Sequence, residues 1–278
     1  MKKIILIIAS FTLLACDIQQ NKNSVNDDVL FLVLGKMAIY IQSASGEHTL
    51  RDHHFVAEIM PKEDGKILGG TLTSKNDPNF SLLFNPEGSQ FLAHGERVID
   101  AEALHNTHPD GTYIFNYQTQ NGEMAGQPLT INRRTTTDIM PAPATLTLSQ
   151  NEIKISPDAI NPDSDLTISW TPMKGNTKVE ASELADLIFV LGFDCFGNNI
   201  AHSGRPFNGK PYLTYETSNY TISAESLSPG LSYNLIVEQA TANVERYQGV
   251  PGIATYATLT FLNASTTGAT KGNTCPVN

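Results

Sequence analysis

The chain has 278 residues, with 18 Lys and Arg against 28 Asp and Glu, for a formal net charge of −10. That length holds one large domain or two of sandwich size, and two fits better. A surface this acidic repels phosphate backbones and anionic lipid head groups, which argues against nucleic acid as a partner and against a basic membrane patch. Charged residues make up only 17% of the chain while Thr, Ser and Asn abound, as suits strands with polar outer faces better than charged helices.

At the N-terminus Met1-Lys2-Lys3 is a short positive start, residues 4–15 are apolar, and Leu13-Leu14-Ala15-Cys16 ends the run. The run falls short of the about 20 residues that span a bilayer, so 1–15 reads as a cleaved signal peptide. Its last four residues resemble the lipobox of bacterial lipoproteins. The resemblance implies that the Cys16 thiol takes a diacylglycerol and becomes the new N-terminus, with palmitate-type acyl chains anchoring the protein to the extracytoplasmic side of a membrane in the cell envelope. Loss of Lys2 and Lys3 with the signal makes the mature chain more acidic still. Residues 16–28 follow as a flexible tether, rich in Gln, Asn, Asp and Ser and too poor in apolar groups to offset its own ordering entropy.

From residue 29 short apolar runs alternate with turn residues, at 29–34, 38–42, 55–60, 67–73, 81–84, 111–119 and 129–132. Their length and their Gly, Asn and Pro punctuation predict strands. Tyr113, Phe115 and Tyr117 alternate along one of them and form an aromatic row on one face. The one helix expected in this half is short, at 101–106. Two prolines in Met140-Pro141-Ala142-Pro143-Ala144 stiffen the chain and remove ladder donors, which places a linker at 140–144 between domains 29–139 and 145–268. In the second domain strands are predicted at 145–148, 152–155, 166–170, 187–193, 212–215, 220–223, 232–239 and 255–262. A helical turn is expected over 181–187, and 269–278 forms a C-terminal tail. The predicted fold class is all-β, two β-sandwich domains after a signal peptide and tether.

Leu166-Thr167-Ile168-Ser169-Trp170-Thr171-Pro172 resembles the second strand of fibronectin type III domains, whose tryptophan is a core residue. The segment Leu227-Ser228-Pro229-Gly230-Leu231-Ser232-Tyr233-Asn234-Leu235-Ile236-Val237 is similar to their corner motif. There Pro and Gly turn the chain between sheets and the tyrosine hydroxyl bonds nearby backbone. The second domain departs from that family by long insertions at 171–187 and 195–220. In the first domain Pro109-Asp110-Gly111-Thr112-Tyr113-Ile114-Phe115 is similar to the turn and strand of bacterial immunoglobulin-like modules. The resemblances imply an immunoglobulin-like sandwich followed by a fibronectin type III-like one.

In an exported chain the two remaining cysteines, Cys195 and Cys275, are expected to form a disulfide, closing a loop of about 80 residues worth roughly 4–5 kcal/mol by chain entropy. Six of the seven histidines lie between His48 and His108. His105 and His108 stand at i, i+3 and His94 supplies a third imidazole, the pattern of a zinc or copper site; the competing reading is of solvent-facing loop residues. Asp158, Asn161, Asp163 and Asp165 gather oxygen atoms between strands, but without the glycine and distant glutamate of an EF-hand they read as turn residues. Tyr212, Tyr215 and Tyr247, in or beside the insertions, are candidate binding residues for a glycan or an envelope protein; a core role for Tyr212 and Tyr215 is the alternative. No G-x-S-x-G elbow, H-E-x-x-H helix or P-loop occurs. The expected role is therefore a lipid-anchored binding or scaffolding module without catalysis and without a cofactor. The alternative is a transition-metal-binding protein or metal-dependent enzyme using the histidine-rich first domain.

Overall fold

The computed structural model describes residues 24–133, 140–173, 183–270, 272 and 274–276. The signal peptide, Cys16 and the tether up to residue 23 lie outside them. In chain order the helical turn α1 (Val25–Asp28) leads into strands β1 (Val29–Gln42), β2 (His48–Pro61), β3 (Ile67–Ser74), β4 (Ser81–Leu83), β5 (Asn85–Glu87) and β6 (Gln90–Val98), helix α2 (Ala101–Thr107), then β7 (Gly111–Thr119) and β8 (Gly122–Ile131). The second half adds β9 (Leu146–Gln150), β10 (Ile153–Ile155), β11 (Leu166–Trp170), β12 (Leu187–Asp194), β13 (Asn199–His202), β14 (Leu213–Thr214), β15 (Asn219–Ile222), β16 (Ser232–Ala240), β17 (Asn243–Tyr247) and β18 (Val250–Ser265).

The fold is all-β, but the two halves are not separate sandwiches on a linker. One ten-stranded sheet runs β13-β12-β16-β18-β1-β2-β6-β5, with β14 on β12 and β17 on β18, and each half adds its own four-stranded sheet, β4-β3-β7-β8 or β10-β9-β11-β15. The seam is the parallel pairing of β1 with β18, from Leu32 opposite Gly252 to Gln42 opposite Leu262. Central strands covered on both faces carry near-continuous apolar runs, and both strands do. β18 is longer than the predicted 255–262 because β17 pairs with its first residues through the Gln248-Gly249 turn, both of whose residues have positive φ, the two-residue hairpin geometry that suits twisted strands.

Each four-stranded sheet closes a core against its part of the shared sheet. Leu34, Phe55, Tyr113, Phe115, Tyr117 and Tyr256 fill the first core, and Leu148, Ile168, Trp170, Val190, Leu235 and Leu262 the second. A third cluster lies on the outer face of the shared sheet, around Phe31, Met60, Leu187, Ile253 and Ala257. β18 thus contributes to all three. The aromatic row Tyr113, Phe115 and Tyr117 is buried as its alternation predicts. The corner motif closes as expected: Tyr233 Oη donates to the Ser228 carbonyl at 3.1 Å and accepts from the Ser228 N–H at 2.8 Å; in the first half Tyr113 Oη makes a similar bond, donating to the Pro109 carbonyl at 2.9 Å.

Other expectations need correction. Residues 24–28 are not tether: Ser24 caps α1 with a capping box, and Asp28 is fully buried, accepting from Lys66 N, Gln120 Nε2 and Asn121 N. β1 does not break at Gly35-Lys36-Met37, because Lys36 is buried against a carboxylate described below. No helix occupies 183–186, where the chain leads straight into β12. The 196–219 insertion is not a free loop: β13 and β14 pair with β12, and the chain between them lies across the outer face, where Phe207 packs 5.9 Å from Phe31 under the Arg246 guanidinium. Phe207 holds φ 65°, a conformation that costs a non-glycine residue about 1–2 kcal/mol and that this packing sustains.

On the same outer face stand Glu58 and Glu238, both half-buried. Burial pushes each carboxyl up to about 7, with the Arg205 charge opposing the shift at Glu58 and the Glu58 charge adding to it at Glu238. A carboxyl whose pKa is raised by folding holds its proton longer in the folded than in the unfolded chain, so its stabilising effect is present at low pH and is lost as pH climbs from the usual glutamate value to about 7. Glu58→Gln should match the parent chain in denaturant unfolding at pH 4 and exceed it at pH 8, on the order of 1–2 kcal/mol; equal midpoints at pH 8 would contradict this.

The shared strand makes a second prediction. Leu34 lies in the first core and Trp170 in the second, so Leu34→Ala, costing about 2–5 kcal/mol, should shift the unfolding midpoint reported by Trp170 fluorescence as far as that reported by tyrosine circular dichroism. Two separated midpoints would mean that the halves unfold independently.

Candidate functional site

The histidines of the first half fall into three environments. Helix α2 ends at Thr107, and its C-cap His108 leaves the helical path at φ −128°. The i, i+3 spacing therefore does not place His105 and His108 on one helical face. His108 turns into the core, stacked 4.3 Å from Phe55 with neither ring nitrogen hydrogen-bonded, and burial followed by the Lys36 charge lowers its pKa to about 4. His105 stays half-buried at the surface of the helix, with Nδ1 3.3 Å from Lys36 Nζ and 3.6 Å from Asp110.

His94 belongs to a third group on β2, β5 and β6. Its Nε2 lies 2.7 Å from Glu87 Oε1 and its Nδ1 3.1 Å from His54 Nε2. Burial, then the Arg97 and His94 charges, lower His54 to about 4. The three imidazoles proposed for zinc or copper are thus spread over separate partners. Among the described residues no group of three His, Cys, Asp or Glu is placed to hold a metal ion. The solvent-facing reading also fails for His53, His54 and His108, all buried.

The most connected polar group in this half is a buried knot around Asp110. Lys36 Nζ lies 2.7 Å from Asp110 Oδ1, Tyr256 Oη donates to the same oxygen, and Arg133 N donates to Oδ2 at 3.2 Å. Burial would raise the Asp110 carboxyl, but the hydrogen bonds from Lys36 and Tyr256 hold it below the usual range; burial lowers Lys36 against the pull of Asp110. With its side chain 2% exposed, Lys36 is closed to solvent, and the knot ties β1, β18 and the ends of β7 and β8 together.

The tyrosines proposed for binding share no platform. Tyr212 packs on the outer-face cluster, Tyr215 on the second core and Tyr247 on the first, because pairing of β14 with the edge of β12 draws the first two inward. The acidic stretch at 158–165 serves turns: Asn161 Oδ1 accepts from Asp163 N and Asp165 Oδ1 from Ala224 N.

The cysteines are brought together as expected. Cys195, just past β12, is bonded to Cys275, with Cα atoms 5.5 Å apart and a sequence separation of 80. The bridge lays the tail beside the outer face of the shared sheet and walls a cleft of about 820 Å³, with Pro157, Asp158 and Ala44 on other sides. Its floor is the outer face of β12, β16 and β18, where Phe193, Asn234 and Asn263 form one cross-strand row and Ile236 and Phe261 stand in the next. The Arg51 guanidinium lies over the Phe261 ring, 5.1 Å from its centre. Asp194 is occupied, its carboxylate accepting from Phe196 N, Asn198 N and Asn198 Nδ2. Sequence reasoning missed this floor, since only strand register sets Asn234 beside Asn263.

No protein-family model matches the chain, and no curated protein matches it. Among solved structures it is similar to the FN1-FN3 domains of chicken CNTN1, at 9% identity and a TM-score of 0.22, an alignment covering 84% of this chain and 63% of that one. The chain thus spans less than two thirds of that structure. The architecture described here rests on the strand pairing itself.

The knot makes a prediction. Lys36→Met leaves a buried carboxylate without its cation and should cost about 3 kcal/mol in urea unfolding, part of which the double change Lys36→Met with Asp110→Asn restores. An unchanged midpoint in the single variant would remove the knot from the list of stabilising contacts.

Proposed function

We propose that the chain is a lipid-anchored binding or scaffolding protein of a bacterial cell envelope, held by acyl chains on Cys16 on the extracytoplasmic side of a membrane. Its partner is an envelope protein or a glycan, and it carries out no catalytic step. The observation that carries the binding role is the disulfide-walled cleft, whose floor is formed by central strands of a sheet that runs through both halves. Such a floor is rigid, so little ordering entropy is lost when a ligand settles on it. The lipobox at residues 13–16 supports the anchor. Several chains on one cysteine, each methylene adding about 0.8 kcal/mol, hold a protein stably where one chain gives only marginal binding.

Labelled palmitate should enter the parent chain grown in a bacterial host and be absent from Cys16→Ser, which should appear in the soluble fraction. Immobilised parent chain should retain an envelope component that Asn234→Trp, filling the cleft with an indole, releases. Absence of label from the parent chain would remove the anchor, and equal retention by both chains would remove the cleft from the binding role.

A further inference from the structure

We infer that the cleft takes a neutral oligosaccharide, a reading that rests on the binding role proposed above and names the ligand class of that site. Asn234 and Asn263 are paired directly across β16 and β18, both exposed, and neither side chain has a hydrogen-bond partner among the described residues. A side-chain amide offers both donors and an acceptor. Two such amides side by side match a ligand that also presents donors and acceptors side by side, as adjacent sugar hydroxyls do.

The apolar part of the floor fits the same ligand. Phe193 flanks Asn234 in its row and is half-buried, so its ring leaves surface open to the C–H face of a pyranose, while Phe261 in the row below already carries the Arg51 guanidinium 5.1 Å from its ring centre. Apolar and aromatic lining with a few placed polar groups is the usual make-up of small-ligand sites, and the volume lies within their range of about 300–1,000 Å³. Electrostatics disfavour an anionic ligand: Asp158 and Asp194 line the cleft, the nearby Arg51 is paired with Asp52 at 3.0 Å, and the chain carries net charge −10.

Topology disfavours an extended peptide. β16 lies between β12 and β18, and β18 between β16 and β1, so the backbone donors and acceptors of the floor are already engaged within the sheet. Strand addition requires an open edge. Recognition here must pass through side chains, and those on offer are amides and rings.

Calorimetric titration of the purified disulfide-bonded chain with chitotetraose, maltohexaose and laminarihexaose tests the inference. At least one should bind, with Kd roughly between 1 μM and 1 mM. Asn234→Ala, Asn263→Ala and Phe193→Ala should each weaken it about tenfold, while Leu83→Ala, at an exposed position on another sheet, should not. An unchanged Trp170 emission spectrum verifies that each variant is folded. Binding by none of the three sugars, or binding indifferent to the floor substitutions, would overturn the inference. Retention of an envelope protein lost in Asn234→Trp, with no sugar bound, would overturn the oligosaccharide and leave the binding role standing. No sugar bound and no retained component affected by Asn234→Trp would overturn both.

Discussion

Everything in this molecule is organised by the parallel pairing of β1 with β18. Parallel neighbours must be joined by a crossover, and here the crossover is nearly the whole protein: the chain leaves β1, builds one sandwich and most of another, and returns as β18. Both sandwiches then share a sheet, and neither can lose its part of that sheet without exposing the other's core. The seam also contains a charge. Lys36, in the middle of β1, would be costly to bury alone, and Asp110 and Tyr256 make its burial tolerable by supplying a carboxylate and a fixed hydroxyl within reach. Because Tyr256 belongs to β18 and Asp110 to the turn before β7, the ion pair also fixes which strands meet at the seam.

Much of the strand content was legible from the sequence, because strand signals are local. Alternation predicted β7 with its buried aromatic row, and the Leu-x-Pro-Gly corner predicted the bond made by Tyr233. The disulfide followed from the cysteine count and an exported setting. Domain organisation was not legible in the same way. The Pro141 and Pro143 stretch carries a boundary composition, yet Pro141 lends its carbonyl to Thr258 on the shared strand, and the two halves meet elsewhere, through residues more than 200 positions apart in sequence. No local pattern encodes a pairing that distant.

The errors over functional residues have one physical origin. His105 and His108 were paired by helical spacing, but non-helical backbone at the C-cap takes His108 off the helical path and into the core, against Phe55. The histidines of β2 looked like loop residues because polar side chains interrupt the apolar alternation there. In the structure His54 is satisfied by His94, and His53 Nδ1 lies 3.0 Å from the Ile99 carbonyl. A polar residue with a partner from another strand can sit inside a sheet, and a single sequence does not show that partner.

The same dependence on register bears on where this fold can carry a ligand. In each half one face of the shared sheet is consumed by a four-stranded sheet, and much of the other by the strap through Phe207 and its apolar cluster. Near Cys195 no residue of the segment through Phe207 lines the cleft, and Cys195, Cys275 and Pro276 wall it over β12, β16 and β18. The side chains there are those a covered face would exclude: two amides without internal partners next to a half-buried ring. Burying an unpartnered amide costs about 1–3 kcal/mol, so these positions suit a surface that meets water or a hydroxyl-rich ligand and would be poor choices for a closed core. The bridge therefore does more than add loop-closure stability, because it supplies a wall to a concave floor built on strands paired on both sides.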